Sequence, residues 1–415
     1  MATYRPRLLD AKIDRKLRSS GGVLIRGARQ VGKTTTASRH AASHVRLDEP
    51  NAGRLARVEP AVVLAGATPR LVDEWQVVPE VWNAVRQEID ARQAKGQFIL
   101  TGSAVPSDDV TRHSGAGRIA RVVLRPMSLS ESGDSIRKVQ FASLWEDWDA
   151  GALGGPTVAE YAQLVVRGGW PGLVGLPVAD AADALVDYVD NLTSVDLRVL
   201  ESPPDPARVA ALLRALARNT STEASLVKLA TETQIDGAGA GASTVRKYLD
   251  QLTQVFVLDE LAAWPVHLRS SIARRVKPKW HFVDPSVGAA ALRVTPAVLL
   301  NDLETFGLFF ESLVIRDLRA YADTIDARVF HYRDSEGLEV DAIIERPDGA
   351  WAACEIKLGG EPAIDQAAAT MARLRNRLPV DTWSRLASRN VITAGTTSYQ
   401  RPDGTRVIAL GHLSA

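Results

Sequence analysis

The stretch Gly27-Ala-Arg-Gln-Val-Gly-Lys-Thr34 constrains this chain more than any other. A glycine, four residues, then Gly-Lys-Thr stand between GGVLI, a short apolar run rich in β-branched residues, and TTASRHAASH, whose composition is helical. A glycine loop between strand and helix turns backbone N–H groups inward around an anion, and the helix N-terminus adds its positive end. Gly27 and Gly32 permit the turn, Lys33 brings a cation to the β- and γ-phosphates, and Thr34 offers a hydroxyl to Mg²⁺. The loop predicts nucleotide binding, with Gly27, Arg29, Gly32, Lys33, Thr34 and Thr35 as the contacts to ATP. An accidental glycine-lysine loop is the plainer reading, and the strand-helix context argues against it.

Three stretches downstream extend the pattern. In PRLVDEW, two aliphatic residues lead into Asp73 and Glu74 at a predicted strand end. An aspartate there holds Mg²⁺ through its water shell, and the following glutamate polarises the attacking water. An acidic pair capping the next helix is the alternative. GQFILTGSA ends another apolar run in Thr101 and Ser103, which would emerge at the same sheet edge and sense the γ-phosphate. RHSGAGRIARVVLRPMSLSE supplies Arg112, Arg118 and Arg121. An arginine presented to a neighbouring subunit's nucleotide stabilises transition-state charge. Arg118, after a Gly-Ala-Gly turn, is the chosen candidate, although arginines on a strand flank are more often solvated.

Together GARQVGKTT, LVDEWQ, ILTGSA and GRIARVVLRPMSLSE resemble the AAA+ ATPase domain of a widespread bacterial and archaeal family, whose members carry it ahead of a C-terminal domain of unknown function. The resemblance covers nearly the whole chain and includes YRPRLLDAKI, which looks like the family's N-terminal helix. It implies that Lys33 and Thr34 match Walker A, Asp73 and Glu74 match Walker B, and Thr101 to Ser103 form the sensor strand. It also implies a homo-oligomer with the site at the subunit interface.

At 415 residues the chain exceeds one ordinary core, so two to four domains are expected. The net charge of +1 advertises no nucleic acid globally, so any such site is a local patch. Cys354, the sole cysteine, rules out an intrachain disulfide framework and disfavours a thiolate zinc cluster. The charged N-terminal stretch has no signal-peptide core and no apolar run is long enough to span a bilayer, so a cytoplasmic protein without a membrane partner is expected.

Glycine and proline break regular structure between residues 133 and 157, which predicts a domain boundary. The organisation expected is a P-loop parallel-sheet ATPase domain over 1–135, a helical connector over 136–205, a winged helix-turn-helix over 206–282 and an α/β restriction-endonuclease-like domain over 283–415. The winged helix rests on ARVAALLRALARNT, EASLVKLATET and STVRKYLDQLTQV as helices, and on QVFVLDELAAW as two short strands. In that fold the third helix enters the DNA major groove, here with Arg246 and Lys247, and RSSIARRVKPKW adds five cations nearby. Against DNA stand the use of winged helices as protein-docking modules and the loose turn QIDGAGAGAST ahead of the third helix. Trp280 to Leu292 reads as a strand and turn joining two domains, with no chemistry assigned to Asp284.

The C-terminal stretch reads as a helix, FGLFFESLVIRDLRAY, followed by strands RVFHYRD, LEVDAIIE and WAACEIKLG. Alternation puts Glu339 with Asp341 on one face and Glu355 with Lys357 on one face, with Val340, Ala342 and Ile344 on the other side. Paired, the strands would bring Asp341, Glu355 and Lys357 together. Two carboxylates and a lysine suit metal-dependent phosphodiester cleavage, with Asp341, Glu355 and Glu311 as Mg²⁺ ligands and Lys357 orienting water. The pattern resembles the restriction-endonuclease-like, PD-(D/E)xK, nuclease fold. Surface ion pairs on an exposed hairpin are the plainer account.

The function expected is an ATP-hydrolysing AAA+ protein that couples turnover to DNA binding or processing. A nucleotide-switched ATPase with a protein partner and an inactive nuclease-like domain is the first alternative. An ATP-gated, metal-dependent DNA nuclease is the second.

Overall fold

The run GGVLI forms the strand before the loop in a computed structural model, which describes residues 4–102, 115–148, 151–194, 197, 204–233, 241–266 and 276–415. The chain divides into two units, one built on residues 1–125 and joined by Gln254–Phe256, and one holding most of 126–415. In the first, α1 (Asp10–Ser19), β1 (Gly22–Arg26), α2 (Lys33–His40), β2 (Ser43–Arg46) and α3 (Pro50–Val58) precede β3 (Arg70–Asp73), α4 (Val81–Arg92), β4 (Phe98–Gly102) and β5 (Ile119–Val123). The five strands form one sheet in the order β2-β3-β4-β1-β5, and every pair is parallel. All C-terminal strand ends therefore share one edge, where ligands of such sheets bind. Leu24, Leu47, Val72, Trp75, Trp82, Phe98 and Leu100 form the core that holds the strands in register. Burying each such side chain contributes about 1.5–3 kcal/mol.

The second unit begins with α5 (Leu129–Ser132), β6 (Val139–Gln140), β7 (Ala152–Leu153), α6 (Val158–Arg167) and α7 (Val178–Ser194). Three helices follow, α8 (Pro206–Arg218), α9 (Leu226–Glu232) and α10 (Ala242–Gln254), and then β8 (Leu258–Leu261), β9 (Lys279–Phe282), α11 (Pro285–Leu292), α12 (Pro296–Asn301) and α13 (Leu303–Thr324). The remainder is β10 (Arg328–Arg333), β11 (Glu339–Glu345), β12 (Trp351–Lys357), α14 (Glu361–Leu374), α15 (Val380–Trp383), β13 (Leu386–Thr393), β14 (Thr397–Gln400), β15 (Arg406–Ala409) and β16 (Leu413–Ser414). A seven-stranded mixed sheet runs β10-β11-β12-β13-β15-β14-β7. Its core includes Phe330, Tyr332, Val340, Ile343, Trp351 and Met371.

Several expectations change here. QVFVLDELAAW holds one regular strand, not two: β8 pairs with β9, across Leu258↔Phe282 to Leu261↔Lys279. The partner comes from the segment read as a linker, which also contains α11 with Asp284 as its N-cap. Period-two alternation identifies strands but does not choose between near and distant partners. The glycine-rich stretch 133–157 is stitched to the C-terminus: β6 pairs with β16 and β7 with β14. On β11 both Ile343 and Ile344 are fully buried, so the inward-outward alternation of Glu339 to Ala342 does not continue along the strand. A register shift on β10 between Phe330 and Tyr332 breaks the simple alternation. Cys354 is buried, and burial pushes its thiol up to about 12. Among the described residues, no helix is long and apolar enough to cross a membrane.

Candidate active site

At the C-terminal edge of the first sheet, Gly27 has φ +154°, and a Cβ there would lie 2.2 Å from the Leu124 carbonyl oxygen. Gly32, at φ 90°, caps α2 in a left-handed conformation that a side chain would strain. Lys33 opens α2 with its side chain folded back, and its ammonium donates to the carbonyls of Gly27 (3.1 Å) and Ala28 (2.8 Å). Burial pulls the Lys33 ammonium down to about 8, against the attraction of Glu74 and Asp73. Thr35 is exposed on the helix, as is Arg29 in the loop, where it adds positive charge beside Lys33.

Strand β3 delivers Asp73, only 2 % exposed, to the same edge. The Thr34 hydroxyl donates to Asp73 Oδ1 at 2.9 Å, and the Thr101 hydroxyl at the end of β4 donates to the same oxygen. Asp73 thus ties the first turn of α2 and the end of β4 to its own strand. The next residue, Glu74, sits at φ 53°, where a non-glycine residue is held at a cost of about 1–3 kcal/mol. Its carboxylate accepts from the Gln76 side-chain amide. Arg46 was not foreseen: the β2–β3 register sets it opposite Asp73, with Nε 3.8 Å from Asp73 Oδ2. Only the pairing of β2 with β3 reveals it.

Ser103 and Arg112 lie outside the described residues. Arg118 precedes β5 at the opposite edge, because Gly22 aligns with Ile119 and Arg26 with Val123. Its guanidinium pairs with Asp90 at 2.6 Å, so any role at a nucleotide needs a neighbouring subunit.

In the second unit, the structure brings Glu311, Asp341, Glu355 and Lys357 together. The β11–β12 ladder ends at Ala342↔Cys354, and the Asp341 side chain takes over, accepting the Ile356 N–H at 2.8 Å. Lys357 Nζ lies 3.2 Å from Asp341 Oδ2 and 2.9 Å from Glu355 Oε2. Glu311 reaches the group from α13 through a residue the sequence reading missed. Lys279, at the start of β9, is 3.1 Å from Glu311 Oε1 and 3.7 Å from Asp341 Oδ1. It is one of the five cations of RSSIARRVKPKW, but it is only 5 % exposed. Burial pushes Glu311 up to about 7, with Lys279 opposing it. Burial and the Asp341 charge push Glu355 up to about 8. Burial alone lowers Lys279, yet Glu311 and Asp341 outweigh it and hold the ammonium well above its ordinary value. A cleft of about 350 Å³ opens beside Asp341, Glu355 and Lys357 and is rimmed by Glu339, Arg373 and Arg377.

On α10, Val245, Tyr248, Leu249 and Leu252 are buried while Arg246 and Lys247 are exposed. Arg246 Nε lies 3.1 Å from Asp250 Oδ1 one turn on. The loop read as loose ahead of this helix lies mostly outside the described residues.

Family models match three parts of the chain. Residues 19–133 match an AAA domain, so the first site lies in a P-loop ATPase domain of AAA type. Residues 158–298 match a domain of unknown function, DUF8612, and residues 306–413 another, DUF4143. An uncharacterized protein of Mycobacterium tuberculosis is 25% identical over 367 residues, covering 86% of this chain and 74% of that protein. An uncharacterized protein of Mycobacterium bovis matches with the same figures. Among solved structures, a Walker-type ATPase of Pyrococcus abyssi is 15% identical, with 69% of this chain and 94% of the other covered and a TM-score of 0.45. AMPPCP-bound DnaA of Aquifex aeolicus is 15% identical, with 61% and 89% covered and a TM-score of 0.24.

Proposed function

We propose that this chain hydrolyses ATP at the β1–α2 loop and couples turnover to DNA bound by its second unit. The observation that carries the ATPase reading is the convergence of Lys33, Thr34, Asp73, Glu74 and Thr101 on one sheet edge. The loop from Gly27 to Thr35, with Arg29, would cradle the phosphates, and Lys33 would exchange its two carbonyl partners for phosphate oxygens. Thr34 and Asp73 present adjacent hard oxygen donors, which fit Mg²⁺. When bound, Mg²⁺ neutralises the charge that develops on the phosphates. Glu74, directed by its backbone conformation and by Gln76, orients the attacking water and accepts its proton. Arg118 acts, in this reading, on the nucleotide of a neighbouring copy in a homo-oligomer.

The DNA reading is supported by the order of α8, α9, α10 and the β8–β9 pair, which is compatible with a winged helix-turn-helix, with Arg246 and Lys247 exposed on the third helix. The test is ATP turnover with and without duplex DNA, across a salt series. Stimulation that falls with salt, and falls further in Arg246→Ala and Lys247→Ala, supports the coupling. Turnover indifferent to DNA, with no DNA retained at low salt, sinks it. A nucleotide-switched protein-docking ATPase would then stand, a reading favoured by the pairing of Arg246 with Asp250 on its own helix.

A further inference from the structure

We propose that Lys279 is the resident cation of the acidic cleft, standing where a divalent metal would sit between Glu311 and Asp341, so that the cleft works without metal. Glu311, Asp341 and Glu355 are the residue types that ligate Mg²⁺, but one or both oxygens of each already face an ammonium or an N–H. Glu311 Oε1 and Asp341 Oδ1 face Lys279, and Asp341 Oδ2 takes the Ile356 N–H and Lys357. Glu355 Oε2 takes Lys357. Mg²⁺ demands near-octahedral oxygen ligands at about 2.0–2.1 Å and keeps several waters. A dication among these carboxylates would stand beside a fixed ammonium in largely dry surroundings, where like charges repel most strongly. Among the described residues, no set of three or more His, Cys, Asp or Glu side chains is arranged to hold a metal.

The lysine is built into the fold. Its backbone is set by the β8–β9 register opposite Leu261, and its side chain is 6 % exposed. A buried ammonium persists only where carboxylates compensate its desolvation. Two lysines therefore balance most of the charge of three carboxylates, Lys279 from the buried side and Lys357, 29 % exposed, from the cleft. This inference is independent of what the phosphate loop does. On this inference the cleft is a binding surface and not the metal centre of an ATP-gated nuclease.

Manganese binding tests it. The full-length chain carrying Asp73→Asn, which silences the first site, is titrated with Mn²⁺ without nucleotide, and free Mn²⁺ is read by electron paramagnetic resonance. This protein is expected to hold no stoichiometric Mn²⁺. Adding Lys279→Ala or Lys279→Gln is expected to create one site per chain, tighter by about 10-fold or more, and adding Asp341→Asn abolishes it. One Mn²⁺ held with Lys279 in place and lost with Asp341→Asn would overturn the proposal, whatever the Lys279 variants do. So would a Lys279 variant that melts cooperatively and still gains no site.

Discussion

The hydroxyl of Thr34 donates to the carboxylate of Asp73 at 2.9 Å, joining residues 39 positions apart. Both donors of the proposed Mg²⁺ site are thereby aligned. Thr34→Val removes one of the proposed ligands and is expected to leave α2 folded. Metal-ion stabilisation is worth several kcal/mol, so steady-state ATP hydrolysis should fall by about 100-fold or more. Nucleotide binding measured without Mg²⁺ should change much less.

Glu74→Gln keeps the size of the side chain at the strained turn and removes the proposed base. Turnover should drop by about 10²–10⁴-fold while ATP still binds. Unchanged turnover would exclude Glu74 from the proton transfer.

Lys33 gives ATP binding a predictable pH dependence. Free, its ammonium is held down to about 8 by burial. Binding the triphosphate favours the charged form, so the bound value lies higher. The favourable contribution is therefore complete below the free-state value and is lost as pH rises through it. Affinity for ATP should be flat from pH 6.5 to 7.5 and then weaken by up to about 10-fold per pH unit above about 8. Fluorescence titration of a labelled ATP analogue reads this directly, and Lys33→Ala should bind weakly with no such break.

Gly27→Ala places a methyl 2.2 Å from the Leu124 carbonyl in a conformation that L-residues rarely adopt. The cost is expected at about 1–3 kcal/mol, seen as a lower urea midpoint, with loss of nucleotide binding as the loop shifts.

Asp284, to which the sequence assigned no chemistry, is structural. Its carboxylate caps α11 through Ser286 N (3.0 Å), accepts from Gly169 N (3.0 Å) and pairs with Arg316 at 2.8 Å, while Arg316 also pairs with Asp317. Asp284→Ala leaves a buried guanidinium with one partner fewer. Breaking a buried pair in this way costs about 3–5 kcal/mol, measurable by chemical denaturation.

Much of the fold was legible in local pattern. The helices over 206–254 and the strands carrying Asp341 and Glu355 follow from apolar periodicity and turn residues, which act over a few positions. The hairpin partner of Leu258–Leu261 was misread because β9 lies a long segment away, and alternation carries no address. Arg46 escaped notice for the same reason: it stands opposite Asp73 only once β2 and β3 are paired.

By itself, the sequence determined the glycine loop, its lysine and threonine, and the acidic strand end, because backbone conformations such as those of Gly27 and Gly32 restrict which residues can stand there. The tertiary structure alone decided that Thr101 and Thr34 share one carboxylate, and that Lys279 closes on Glu311 and Asp341. It turned an acidic trio that reads as a metal site into one whose charge is largely balanced by lysine. The physical reason is that the charge of a buried site is set by every group within a few ångströms, and chain spacing does not record which groups those are.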